Sequence, residues 1–253
     1  MMRLEERRTI VIVLISGAIA AIVFLPGIYF LGLWLAPPRP VPAMPGASPM
    51  VLEALWVRAG GGRATGLRPV NPVNFVQHRA CRALAIRYDD PKVRGERRAE
   101  CLESMPAIQG VDYLSTVHMT DNDVTPRSLR MAIGQFATAV WVTRSWTKEE
   151  FVNTLAARAD FGFGWRGIDA AAAGFFRRDA AALMLPQAAL LASRVGDTRT
   201  DPWCEPEAAR TMRNRILEGM RDSGAISEAD FQAASITELG LASPPEGRAP
   251  CRE

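Results

Sequence analysis

Residues 9–36 carry no charged side chain, and a run of 28 such residues leaves a chain few places to put it. A bilayer core is crossed by roughly 20 apolar residues in a helix, so the run reads as one transmembrane helix. The rival is a cleaved signal peptide, but its apolar region is about 7–15 residues long; the length favours an uncleaved anchor. Arg3, Arg7 and Arg8 precede the run while only Arg39 follows it closely. Positive charge stays inside, which puts residues 1–8 in the cytoplasm and everything after the span outside. Tyr29 and Trp34 fall near its outer end, where amphipathic rings favour the interface. The next segment, residues 37–49, reads PPRPVPAMPGASP. Its prolines fix φ and remove donors, so a semi-rigid extended spacer is expected.

The remainder is rich enough in apolar residues, 48% over the whole chain, to bury a core. With 30 basic against 27 acidic residues the net charge is +3 and the signs are interspersed, which is not the basic face of a nucleic-acid binder. Residues 50–240 are expected to form the folded domain and 241–253 a C-terminal tail. Cys81, Cys101, Cys204 and Cys251 make no CxxC pair, and His78 and His118 are the only histidines, so no zinc site is suggested. Three disulfide pairings are possible. Cys81 with Cys101 and Cys204 with Cys251 are favoured because each pair is near in sequence and would close a loop outside the core; four free thiols would imply a reducing compartment.

Helical signals then accumulate. A short helix is expected from Met50 to the glycines at 60–62, another from Phe75 to Tyr88, and a more charged one from Val93 to Met105. Thr125 can cap and Pro126 open a helix whose Leu129, Ile133, Phe136, Ala137 and Val140 share a face. Thr147 and Glu150 form a capping box. Pro186 and Pro206 open further helices, Gly224 stops the second, and Ser227 with Asp230 caps a last one. Between them GFGWRG, residues 162–167, has dinucleotide-loop spacing but follows a helix rather than a strand. The nucleotide reading is rejected in favour of a tight turn between alanine-packed helices. No strand alternation is present, and the fold class is all-α.

From Arg127 to Ala234, roughly two fifths of the chain, these pieces resemble in order and spacing the C-terminal half of the peptidoglycan glycosyltransferase domain, glycosyltransferase family 51. The family's "SK-E-IL" start is matched by Thr147, Lys148, Glu150, Phe151 and Val152. Its "FGxGxxGI…AA" turn is matched by Phe161, Gly162, Gly164, Gly167, Ile168, Ala171 and Ala172. Its "L-L-EAALLA" is answered by Leu183, Leu185, Ala188, Ala189, Leu190, Leu191 and Ala192. Its "PE-A…R--VL--M…G-I" tail is answered by Pro206, Glu207, Ala209, Arg213, Ile216, Leu217, Met220, Gly224 and Ile226. The resemblance implies a lysozyme-like helical domain anchored in the inner membrane, facing the periplasm, and acting on lipid-linked disaccharide or glycan strands beside other cell-wall proteins.

The reaction implied by the family needs a carboxylate base and positive charge for the departing pyrophosphate. Its "ED--F--H-G" motif has no counterpart between Phe75 and Ser115. Its second glutamate falls at Gln135, with Met131 and Ala132 in place of a basic pair; Gln187 and Ala157 replace two further polar positions. The "STITQQ" segment is answered by Ser115 to Thr120. Ser115, Thr116, Arg130 and Lys148 are therefore the candidate substrate-binding residues, joined by Arg127, Arg166, Arg177 and Arg178 as available charge. The expectation is a divergent member with degenerate catalytic motifs. It requires no cofactor, and a divalent metal only if transfer persists through Asp89, Asp90, Glu100 or Glu103. The alternative is a non-catalytic scaffold that binds a partner of the wall machinery.

Overall fold

The structure is a computed structural model that describes residues 27, 29–32, 34, 36–44, 46–85, 87, 89, 90, 93, 100, 101, 105–245 and 251. The readings made for residues 1–26 and for most of 93–105 lie outside these. Among the described residues no helix is long and apolar enough to cross a membrane.

The described chain is helical, with one isolated β-bridge between Asp160 and Arg166. Helix α1 spans Pro49–Arg58, α2 Pro72–Ala85, α3 Ile108–Asp121, α4 Leu129–Ser145 and α5 Lys148–Arg158. After the glycine turn come α6 (Ile168–Phe176), a 3-10 turn at Ala180–Ala182, α7 (Leu185–Arg194), α8 (Pro206–Asp222) and α9 (Glu228–Ile236). Helix α1 lies at the centre, packed on α5, α7 and α8. Its Trp56 is fully buried and meets Phe151 of α5 edge-on, with ring centroids 6.3 Å apart.

The end of α1 abuts the start of α3. Helix α3 has no side-chain N-cap; Ala107 stands in that place with φ of 62°. Instead the Ala107 N–H donates to the Gly60 carbonyl at 3.0 Å and the Gly110 N–H to the Ala59 carbonyl at 3.2 Å. Free donors of one helix thereby meet free acceptors of another. The approach is close enough that a Cβ on Gly110 would fall 2.5 Å from Ala59 Cβ and 2.8 Å from Phe151 Cζ.

The capping boxes expected at Thr147 and Ser227 are both formed. The expected start at Thr125 is corrected: residues 125–128 are a turn, and the cap is Ser128, whose Oγ accepts from the Met131 N–H at 3.0 Å. Leu129 leaves the apolar face as well, being 74% exposed, because it is the first residue of the helix and nothing packs over it. The turn at 162–167 is closed by Trp165 N–H to the Gly162 carbonyl and Gly167 N–H to the Ala159 carbonyl. Gly167, at φ 84°, reverses the chain directly against the Ala157 carbonyl. Helix α6 then starts after a helix and a turn, not after a strand, so the rejection of a nucleotide loop stands.

Both disulfides expected from sequence proximity are formed, Cys81–Cys101 and Cys204–Cys251. His78 is buried beside the first, with Nδ1 3.1 Å from the Cys101 carbonyl oxygen.

Candidate functional site

Two adjoining clefts open along α3. The first, about 280 Å³, is lined by Arg58 and Ala59 of α1, by Gln109, Asp112, Tyr113 and Thr116 of α3, and by Val195 and Gly196 after α7. The second, about 390 Å³, shares Tyr113 and Thr116 and continues over Thr120, Asp121, Arg158, Asp160 and Arg166. Tyr113, Thr116 and Thr120 recur at helical spacing, so α3 turns one polar stripe into both clefts.

Thr116 is the hinge of the arrangement. Its hydroxyl donates to the Asp112 carbonyl at 2.8 Å and accepts from the Gln135 side-chain amide at 2.9 Å. The structure thus brings together two of the candidate residues, Thr116 and Gln135. Ser115, at 1% exposure, is buried, one residue around the helix from the stripe. Lys148 lines neither cleft. Its Nζ pairs with Glu53 at 2.7 Å and lies 5.0 Å over the Trp56 ring, which joins α5 to α1 away from both clefts. Arg130 is exposed at the start of α4 and lines neither cleft.

Charge in the second cleft is organised around Asp121. Arg158 Nη2 lies 2.7 Å from one carboxylate oxygen, and Arg166 Nη2 lies 2.5 Å from each of the two. Burial works against ionisation, but the hydrogen bonds from Arg166 and then Arg158 outweigh it and hold the carboxyl below its usual range. A base held this way is charged but has little appetite for a proton. Asp160 Oδ1 accepts from the Gly162 N–H at 2.8 Å and so serves the glycine turn. Tyr113 Oη accepts from the Asp160 N–H at 2.9 Å; burial pushes its hydroxyl upward in pKa, so it stays protonated. Burial pushes the Arg58 guanidinium down, opposed by the charge of Asp197.

The carboxylates weighed as alternative bases, Asp89, Asp90 and Glu100, line neither cleft, and Glu103 lies outside the described residues. Among the described residues no three His, Cys, Asp or Glu side chains converge. The sequence reading missed Arg58, Asp112, Tyr113, Asp121 and Arg158. The polar stripe at 113, 116 and 120 was the signal that could have found those of α3.

A helical domain whose cleft runs along a central helix pair, preceded by an uncharged run, is the class of object defined to this point. Residues 111–221 match the family described as Transglycosylase. Over 102 residues, 40% of this chain, it is 31% identical to penicillin-binding protein 1A of Streptococcus pneumoniae. Over 89 residues, 35% of the chain, it is 36% identical to penicillin-binding protein 1A of Mycolicibacterium smegmatis. The like-named protein of Aquifex aeolicus is 28% identical over 109 residues, 43% of the chain. The aligned parts make up 14%, 11% and 15% of these relatives, so the chain spans a small fraction of their length.

Proposed function

We propose that the protein is a membrane-anchored, periplasmic member of peptidoglycan metabolism that holds lipid-linked disaccharide or a glycan strand in the cleft along α3 without polymerising it. The observation that carries this reading is the Gln135–Thr116 pair: where the family resemblance sets a glutamate, a neutral amide donates to a hydroxyl. An amide nitrogen takes no proton. Two of the carboxylates that line the clefts support the same reading, since Asp121 is committed to Arg158 and Arg166 and Asp160 to the turn. Binding draws on what remains: the half-exposed Arg166 guanidinium, Arg58, and hydroxyls at Tyr113, Thr116 and Thr120, a set suited to sugar hydroxyls and a diphosphate.

The deciding measurement is incubation of the full-length protein with purified lipid-linked disaccharide, with and without divalent cations. No glycan product is expected, and processive polymer would overturn the reading. Direct binding of the same substrate is expected, weakened about tenfold by Arg166→Ala, which removes a charge-assisted contact of roughly 1.5 kcal/mol. Absence of binding in the wild type would leave the scaffold role as the account of the domain.

A further inference from the structure

The Pro-rich segment expected to act as a spacer touches three helices of the domain. The Ala43 N–H donates to Thr154 Oγ1 of α5 at 2.8 Å and the Gly46 N–H to Asn153 Oδ1 at 3.3 Å. Both acceptors are buried side chains that donate back to their own helix, Asn153 to the Glu149 carbonyl and Thr154 to the Glu150 carbonyl, which fixes where they stand. The Arg39 guanidinium lies 4.0 Å from the Trp141 ring centre of α4. One residue earlier, the Pro38 carbonyl faces His118 of α3. The segment is a strap.

His118 is the unusual group beside it. The ring is 5% exposed, on the side of α3 opposite Thr116 and Thr120, and neither Nδ1 nor Nε2 completes a hydrogen bond. Buried polar groups are nearly always paired, so a ring bare on both nitrogens stands out. The groups that face it are Arg158 from α5, Asp121 one turn further along α3, and the Pro38 carbonyl from the strap. Burial, and then the charge of Arg158, push the imidazole below its ordinary range against the pull of the Pro38 carbonyl and Asp121. Asp121 is itself engaged by Arg158 and Arg166. The packed ring is therefore neutral, and charging it requires that what covers it give way.

We propose that His118 is a proton-operated latch: taking up a proton there releases residues 38–46 from α3 and α5 while the helices stay packed. A histidine exposed to water binds its proton near pH 6.5, above the range in which the covered ring does so. The closed arrangement is therefore at full strength above about pH 6.5 and weakens as pH falls below it. Carboxylates titrate near pH 4 and take no part in that window. The strap is the element that yields because little ties it down. Five of the ten residues 37–46 are prolines without an N–H, and two of the remaining amides, Ala43 and Gly46, hold it to α5. Arg158 and Asp121 also line the second cleft, so the same proton reaches the charge balance there, whatever the cleft binds.

The test is hydrogen exchange of the full-length protein in detergent, read by mass spectrometry at about pH 7.5 and about pH 5 and corrected for the pH dependence of intrinsic exchange. Protection of residues 37–46 is expected to fall several-fold at the lower pH, with about thirtyfold as the ceiling for a group that titrates near 6.5 once released. Protection of α7 is expected to hold. In His118→Gln, which takes no proton in this window, the strap is expected to be equally protected at both pH values. Thr154→Val removes the Ala43 acceptor and leaves His118 in place; it is expected to lower strap protection already at the higher pH and to shrink the acid-induced fall. Wild-type protection that ignores pH, an equal fall in His118→Gln, or a parallel loss from α7 would each overturn the latch. Protection that rises at the lower pH would mean that the Pro38 carbonyl captures the imidazolium, and would overturn release as well. Where His118→Gln fails to fold, Thr154→Val decides: an undiminished fall in that variant would sink the link between His118 and the strap.

Discussion

Asp121 sits where two arginines decide its chemistry. Its carboxyl is held below the ordinary range by Arg166 and Arg158 against the opposing effect of burial, so in the folded state it gives up its proton at lower pH than when unfolded. The stability this contributes is present above the unfolded carboxyl value, about pH 4, and is lost as pH falls through the lower folded value. Asp121→Asn is expected to cost about 0.5–1 kcal/mol near neutrality after solvent screening. Urea unfolding followed from pH 7 down to pH 2 should show the gap between wild type and variant closing below about pH 4; a gap that persists would deny the ion pairs their part. Gln135 poses the converse question. Gln135→Glu restores a carboxylate 2.9 Å from the Thr116 hydroxyl, yet of the carboxylates that line the second cleft Asp121 is held by Arg158 and Arg166 and Asp160 by the glycine turn. The variant is expected to fold and to form no glycan; polymer formation would show that this one amide is what silences the domain.

At the scale of elements, the junction of α1, α3 and α5 beneath the first cleft depends on one missing side chain. Gly110→Ala would drive a methyl to 2.5 Å from Ala59 and 2.8 Å from Phe151, an overpacking expected to cost about 1–3 kcal/mol. Thermal or urea unfolding reads this, and an unchanged midpoint would mean the helices separate at no cost. The buried Arg213 ties α8 to the end of α9, donating from Nη1 to the Thr237 carbonyl and from Nη2 to the Ser235 carbonyl at 2.5 and 2.6 Å. Arg213→Met is expected to destabilise by roughly 2–3 kcal/mol, since the Thr237 and Ser235 carbonyls lose a charged donor. Elements with end signals were legible in the sequence: Thr147, Ser227, Pro206 and Gly224 all sit where their chemistry predicts. Helix α3 was not, because Ala107 has no capping side chain and the first donors are satisfied by carbonyls just after α1, 47 residues upstream counting Gly60 to Ala107. The cleft was hidden with it. Thr116 and Gln135 could be nominated from the resemblance, whereas the pairing of Lys148 with Glu53 is a tertiary event with no local signature.

Over the whole molecule, the described residues of the C-terminal tail join the fold at Ala242. The Ala242 N–H donates to the Phe175 carbonyl at 2.8 Å, and Trp203 Nε1–H donates to the Ala242 carbonyl at 2.9 Å, while Trp203 stacks on Phe175 with centroids 5.3 Å apart. The Cys204–Cys251 bond closes this loop over a separation of 47 residues. Chain entropy alone makes such a closure worth about 4 kcal/mol, and native strain or residual structure lowers the figure. The bond between Cys81 and Cys101 closes only 20 residues, and the logarithmic dependence on loop length makes it the smaller contributor, about 3 kcal/mol. Replacing Cys204 and Cys251 together by serine is therefore expected to lower stability more than replacing Cys81 and Cys101, and to free the tail so that Trp203 loses its Ala242 acceptor. Unfolding midpoints of the two double variants give the order, and hydrogen exchange at the Trp203 indole Nε1–H locates the loosening. If the two variants lose equal stability and Trp203 stays protected, the tail is held by its own packing, and the aromatic cluster of Phe163, Trp165, Phe175 and Trp203 closes the α6–α8 end of the domain without help from the disulfide.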